Sequence, residues 1–197
     1  MDNEQLVTAV RKRAEDRSKR TDNVDRDCPE LGPLASPEVV LAAERAMGCA
    51  LNPLHRQLFA EVANGGFGPG FGLVGLPGGT LDGEGRSLVD LREILWLDAY
   101  TPLPHPVVPL CEWGCGIWSC LDGETGAVLT MDEYGLKDIG QMFPAWLEDW
   151  VSGVSLMSRM IVHEERTIIN PFTKQPMKAK LSVGTVGTPY IPRQRMN

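Results

Sequence analysis

The chain of 197 residues has no uninterrupted apolar stretch near the roughly 18 residues needed for a transmembrane helix. Its first twenty residues, MDNEQLVTAVRKRAEDRSKR, are charged throughout and lack the apolar segment of a secretory signal. The 3 histidines are scattered, and none lies in an H-E-x-x-H or similar ligand spacing. We therefore expect a cytoplasmic protein that does not bind membranes.

Cysteine usage argues against a disulfide framework, because the 5 cysteines are odd in number and irregularly spaced. Cys111, Cys115 and Cys120 lie close together, which leaves open a zinc site completed by a distant fourth ligand. Side chains alternate along a strand, however, so Cys115 and Cys120 would face opposite sides of a predicted hairpin. Buried, reduced thiols are the preferred interpretation, and we expect no metal and no cofactor.

Negative charge is concentrated in the middle of the chain. The net charge is −7, and residues 49–163 carry 14 acidic against 5 basic side chains, whereas residues 164–197 carry 6 basic and 2 acidic. An acidic middle repels phosphate backbones, which argues against direct nucleic-acid binding. It suits a basic protein partner. The alternative is that the acidity serves only solubility.

Two helix starts stand out in the first third of the sequence. Ser36-Pro37 and Asn52-Pro53 each combine a capping side chain with proline at the first helical position. Each is followed by apolar residues at helical spacing and then by a glycine that ends the run. These signals predict two consecutive helices with a tight connection.

Three short runs, VVPLCEW, CGIWSCLD and GAVLTMDE, are rich in β-branched and aromatic residues and are separated by turn-like clusters. Such short connections predict an antiparallel meander. The run FGLVGL (71–76) is predicted as a further strand, and residues 87–98 and 143–161 as helices. The predicted fold class is α+β, an antiparallel β-sheet with a meander core, packed with helices at its N- and C-terminal sides.

The two ends of the chain look different from this core. Residues 1–36 are predicted to form a polar helix, lying on the surface or frayed, followed by a linker. Residues 162–197 are predicted to be a basic, irregular C-terminal extension. The intervening domain covers residues 37–161.

A glycine-rich segment matches G-x-G-x-x-G from Gly70 to Gly75. In a dinucleotide-binding unit this motif follows a strand and opens a helix, but here it follows a helix and runs into Leu-Pro-Gly-Gly. Nucleotide binding is therefore disfavoured. We expect Gly65 and Gly66 to adopt positive φ, and the later glycines, including Gly72, to allow close backbone packing.

No catalytic constellation emerges from the remaining motifs. Ser119 lacks the context of a nucleophile elbow. Asp122 and Glu124 flank a glycine in DGETG, where turn capping is the simplest role for a carboxylate. Trp113, beside the preceding turn, is the tryptophan predicted to reach the surface. We expect a protein that is not an enzyme.

The succession AMGCALNPLHRQLFAEVANGGFGPGFGLVGL resembles the hallmark of the SUKH superfamily, the SMI/KNR-like domains. It combines a helix, a proline-initiated second helix and an Asn-Gly-Gly corner formed by Asn64, Gly65 and Gly66. The segment CEWGCGIWSCLDGETGAV resembles the central strands of the family. The resemblance covers residues 37–161.

The resemblance implies an α+β binding domain without enzymatic activity. Many bacterial members are immunity proteins that neutralise a cognate toxin, often a nuclease, and other members are cytosolic regulatory or interaction proteins. An acidic face would suit a basic toxin. By charge and loop position, the candidate partner-binding residues are Asp82, Glu84, Asp98, Glu112, Trp113, Asp122 and Glu124. The candidate structural residues are Asn64, Gly65, Gly66, Gly70 and Gly72. For any single carboxylate, an ordinary solvated surface is the alternative.

Overall fold

The computed structural model describes residues 1–22, 28–96 and 104–192. Its helices are α1 (Asn3–Glu15), α2 (Pro37–Met47), α3 (Pro53–Glu61), α4 (Leu88–Trp96), α5 (Phe143–Val151) and α6 (Met157–Met160). Its strands are β1 (Val107–Gly114), β2 (Ile117–Asp122), β3 (Ala127–Asp132), β4 (Gly135–Met142), β5 (Ile161–Ile169), β6 (Pro176–Thr185) and β7 (Thr188–Pro189). The α+β class is confirmed.

The main sheet has the strand order β1-β2-β3-β4-β7, and every neighbouring pair in it is antiparallel. Its first three strands are the predicted meander. Strand β4 was not predicted; it pairs with β3 from Asp132–Gly135 to Ala127–Met142. The strand predicted at 71–76 is wrong, since that segment is a loop beside β1.

Helices cover both faces of this sheet, and β2 shows the consequence because all six of its residues are buried. Successive side chains of a strand point to opposite faces. Ile117 and Leu121 therefore join the core beneath α1 and α5, whereas Trp118 and Cys120 join the core beneath α2 and α4. Two apolar layers thus hold the sheet between helices.

Helices α2 and α3 begin where the caps predict. The Ser36 hydroxyl accepts a hydrogen bond from the backbone N–H of Val39, and the Asn52 side chain accepts one from that of Leu54. Gly48 ends α2 in the left-handed conformation at φ 70°. These two helices therefore follow local rules that are visible in the sequence.

Helix α1 is an integral part of the core, and the prediction of a surface or frayed helix is wrong. Leu6 and Val10 are fully buried, in the same cluster as Trp146 and Trp150 of α5. The Arg13 guanidinium lies 4.6 Å above the Trp150 ring. A narrow apolar stripe is sufficient here because α5 and α3 both pack against it.

The predicted helix over 143–161 is interrupted. Helix α5 ends at Val151, and Gly153 follows with φ 80°. The short α6 resumes at Met157 and leads directly into β5. A glycine at positive φ does not continue a helix, which explains the break.

The extension predicted to be irregular forms strands over most of its described residues, 162–192, and that prediction is wrong. Strands β5 and β6 pair antiparallel into a separate two-stranded sheet, and β7 adds to the edge of the main sheet. We call residues 161–185, meaning β5, β6 and their connecting turn, the arm. Asp132 holds the base of the arm, because its Oδ2 accepts hydrogen bonds from the Thr185 backbone N–H at 3.0 Å and hydroxyl at 2.8 Å.

Candidate functional site

The Asn-Gly-Gly corner is organised around the buried side chain of Asn64. Its Oδ1 accepts a hydrogen bond from the Leu76 backbone N–H at 2.7 Å, and its Nδ2 donates to the Leu76 carbonyl at 3.3 Å. The Asn64 backbone carbonyl accepts from the Thr80 N–H at 2.8 Å. One asparagine thus fastens the end of the α3 segment to two later points of the chain.

Glycines make room for this arrangement. A Cβ added to Gly32 or Gly75 would lie 2.3 Å from the Asn64 carbonyl oxygen, closer than side-chain atoms approach. Gly65 and Gly66 have φ 86° and 88°, as the sequence predicts. The corner is therefore a tightly packed backbone structure.

The segment after the corner lies along β1. The Phe71 N–H donates to the Glu112 carbonyl at 2.9 Å, and the Val74 N–H donates to the Leu110 carbonyl at 3.0 Å. A Cβ on Gly70 would lie 2.4 Å from the Glu112 carbonyl oxygen. Gly72 has φ 96°, a value that L side chains rarely adopt. The glycine motif therefore brings a loop against a strand and opens no helix.

A cleft of about 230 Å³ opens between this loop and the turn that follows Thr80. Phe71, Gly72 and Leu73 line one part of it, and Asp82 and Glu112 are the acidic residues of its lining. A partly apolar cleft with acidic groups at its wall suits a basic or amphipathic side chain of another protein.

Asp82, Glu84 and Glu112 are brought together around Arg86. Arg86 donates two hydrogen bonds to Asp82 Oδ2, at 2.8 Å from Nε and 2.6 Å from Nη2, and its Nη1 lies 2.8 Å from Glu84 Oε2. The hydrogen bond to Asp82 is the main cause that raises the pKa of Arg86, and the negative charges of Asp82, Glu84 and Glu112 add to it. We call these four residues the acidic cluster.

The members of the acidic cluster have different exposures. The Asp82 side chain is only 3% exposed, and its Oδ1 accepts hydrogen bonds from the backbone N–H groups of Glu84 and Arg86. Glu84 is 72% exposed at its side chain. Asp82 therefore shapes the turn, and Glu84 carries the accessible charge. Arg86 was not predicted as a site residue, because the i, i+4 pairing rule applies to helices and residues 82–86 form a turn.

Asp122 and Glu124 do not join the acidic cluster. In the register of β1 and β2, Asp122 pairs with Val107, at the far end of β1 from Glu112. Asp122 is buried and accepts hydrogen bonds from the Glu124 N–H at 2.9 Å and the Tyr190 hydroxyl at 2.9 Å. Burial opposes its ionisation, but hydrogen bonds led by those from Thr125 lower the pKa of Asp122 below its ordinary value. Asp122 is thus a turn residue, whereas Glu124 is exposed.

Trp113 and Asp98 are the two remaining candidate partner-binding residues. Trp113 is 4% exposed, and its indole N–H donates to the Ser119 hydroxyl at 2.8 Å. The prediction that it reaches the surface is wrong, because Gly70 of the loop packs against its ring; a Cβ at Gly70 would lie 3.3 Å from a ring carbon of Trp113. Asp98 lies outside the described residues.

The described residues contain no grouping of three His, Cys, Asp or Glu side chains that could hold a metal ion. Cys111 and Cys120 are fully buried, and burial raises the pKa of both thiols. His55 is buried between Phe59 and Phe143, with its ring centroid 4.4 Å from that of Phe59. These groups are therefore packing residues of the interior.

No helix within the described ranges is both long enough and apolar enough to cross a bilayer. The acidic cluster and its cleft are the part of the surface where predicted candidate residues meet.

Comparison of the sequence with protein-family models and with curated proteins gives no match.

Proposed function

We propose that the protein is an immunity-type binding domain that neutralises a basic toxin, with nucleases as the first class to test, by forming a stoichiometric complex. The observation that carries this proposal is the acidic cluster: Asp82 and Glu112 line the cleft, and the exposed Glu84 pairs with the same Arg86 as Asp82. The resemblance of residues 37–161 to the SUKH superfamily supports the same class of function.

The acidic cluster is suited to recognition by its rigidity. Asp82 is fixed by Arg86 and by backbone N–H groups, so the turn holds its shape before a partner arrives. Glu84 projects into solvent from that turn. Preorganised negative charge speeds the encounter with a basic surface and penalises acidic competitors.

Binding alone accounts for the proposed activity, and no bond is made or broken by this protein. A toxin that cuts nucleic acid needs a basic surface for the phosphate backbone. Carboxylates presented at that surface would compete with the nucleic acid for the same cationic groups. The proposed mechanism is therefore steric and electrostatic occlusion.

The experiment is co-expression with a basic toxin encoded beside this gene, read out as survival and as recovery of a complex. Glu84→Lys is expected to weaken binding at least tenfold, mainly through a slower association rate that depends on ionic strength. The matched control is Glu124→Lys, the same charge change at an exposed position away from the cluster.

Equal weakening by both variants would contradict a role for the acidic cluster. Absence of both a complex and survival would reject the immunity function. If the cluster instead binds a protein that is not a toxin, the regulatory alternative replaces it.

A further inference from the structure

The arm stands apart from the main sheet and exposes most of its surface. In the described part of the chain, β5 has β6 as its one strand neighbour. Residues 164–167 are exposed, as are Val162 at 40% and Ile169 at 59%. A ribbon of two strands is marginally stable by itself, and an open strand edge is a template for another strand.

The sequence of β5, IVHEERTII, has nearly the same pattern in both directions, with apolar residues at each end and charges in the middle. Two copies of β5 can therefore pair antiparallel about a twofold axis at Glu165. This register sets Val162, which is 40% exposed, opposite Ile168 of the second copy, and this apolar pair occurs twice by symmetry. Ile161 is buried at the base of the arm, so Ile169 of the second copy comes to lie beside that base.

Charges are complementary in the same register. Glu164 lies opposite Arg166 of the second copy, and the reciprocal pair forms by symmetry. Within one chain these two side chains already form an ion pair, with Arg166 Nη2 2.8 Å from Glu164 Oε2. The twofold arrangement extends this pair into a quartet of alternating charge. Glu165 lies opposite Glu165 of the second copy, and the two carboxylates repel each other. In each chain Lys178 Nζ lies 3.4 Å from Glu165 Oε2, and its positive charge offsets this repulsion.

We propose that two copies of this chain associate through β5 to form one four-stranded antiparallel sheet. A second copy is the occupant because the edge is complementary to itself in hydrophobicity and in charge. Nine paired residues span about 30 Å, so the interface falls below roughly 1,200 Å² in total. An interface of that size gives a weak dimer, with a dissociation constant in the micromolar range or above.

Sedimentation equilibrium over protein concentrations up to about 500 µM measures this dimer. Arg166→Glu and Glu164→Arg are each expected to raise the dissociation constant at least tenfold, because each replaces two attractive cross-strand pairs by repulsive ones. The double variant Glu164→Arg/Arg166→Glu restores complementarity and is expected to return within about threefold of the parent. Arg45→Glu, an exposed site on α2, is the matched control and should leave dimerisation unchanged.

Cross-linking checks the register independently. Glu165→Cys in a Cys115→Ser background places two thiols opposite each other, within the Cα separation that a disulfide allows. Oxidation should give a covalent dimer faster than it does for Glu164→Cys in the same background. A parent protein that stays monomeric throughout the concentration range overturns the proposal. A double variant as weak as the single variants overturns it as well.

Discussion

The replacement Asn64→Ala tests the corner that positions the candidate site. It removes the amide that satisfies both the N–H and the carbonyl of Leu76, a residue that is fully buried. Each buried backbone group left without a partner costs about 1–3 kcal/mol. We therefore expect the free energy of unfolding to fall by about 2–5 kcal/mol.

Urea denaturation followed by tryptophan fluorescence measures this loss, because Trp146 and Trp150 are fully buried in the core. The matched control is Asn3→Ala, an exposed residue of α1, which should change the unfolding free energy by less than about 0.5 kcal/mol. A loss below about 1 kcal/mol for Asn64→Ala, with an unchanged denaturant dependence, would refute the role assigned to this amide.

A companion variant separates the two hydrogen bonds. Asn64→Asp keeps an acceptor for the Leu76 N–H but turns an acceptor toward the Leu76 carbonyl in place of a donor. A protonated carboxyl group can donate there, whereas a carboxylate cannot. The stability deficit of this variant relative to the parent should therefore be smaller at pH 4 than at pH 7.

Three further predictions concern the corner, the arm and the core. Gly66→Ala should lower the free energy of unfolding, measured by urea denaturation, by at least about 3 kcal/mol, because its Cβ would lie 2.3 Å from a backbone carbonyl oxygen. Gly78→Ala has a similar φ of 85° but open space around it, and it should lower the free energy of unfolding by only about 1 kcal/mol. Burial opposes ionisation of Asp132, but hydrogen bonds led by those from Thr185 lower its pKa. The stability that the ionised carboxylate adds to the fold is therefore present above the ordinary pKa of 3.8 and is lost as the pH falls below it. Asp132→Asn should remove that part of the acid dependence of unfolding and raise the rate of amide exchange in the arm. Burial lowers the pKa of His55 to about 3, so between pH 6.5 and 3 only the unfolded chain binds a proton at this residue. The free energy of unfolding should therefore fall by up to about 1.4 kcal/mol for each pH unit of acidification. His55→Leu should make this pH dependence shallower, and an unchanged dependence would contradict the lowered pKa.

Local signals were sufficient where the structure is locally determined. The starts of α2 and α3 depend on Ser36 and Asn52, which act on backbone groups two or three residues away. The first three strands of the meander have short connections and buried apolar runs. Patterns of this kind are visible in a window of about ten residues.

Errors arose where distant segments decide the outcome. The loop at 71–76 looks like a strand, but only the N–H groups of Phe71 and Val74 donate to β1. The other four donate to carbonyl groups of nearby loop residues or to the Asn64 side chain. Strand β4 has only partly buried or exposed residues and two glycines, and its pairing with β3 defines it. The burial of α1 depends on α5, more than a hundred residues later in the chain.

The candidate site was predicted in part. Charge and loop position identified Glu84 and Glu112, which the structure brings to one cluster. The same criteria also selected Asp122, which is buried. Its carboxylate accepts a hydrogen bond from the hydroxyl of Tyr190, 68 residues later, and no local pattern in the sequence indicates that contact. Charge alone does not distinguish a carboxylate that is already satisfied from one that is available.

The attachment of the arm has a consequence for local unfolding. Most of its residues are exposed, and buried contacts are concentrated at its base, near Ile161 and Thr185. Segments with little buried apolar surface open with free energies well below that of global unfolding. The arm should therefore exchange its amide hydrogens, and meet proteases, as one cooperative unit while β1, β2 and β3 stay protected. Such a segment can rearrange its pairing without loosening the sheet that supports the acidic cluster.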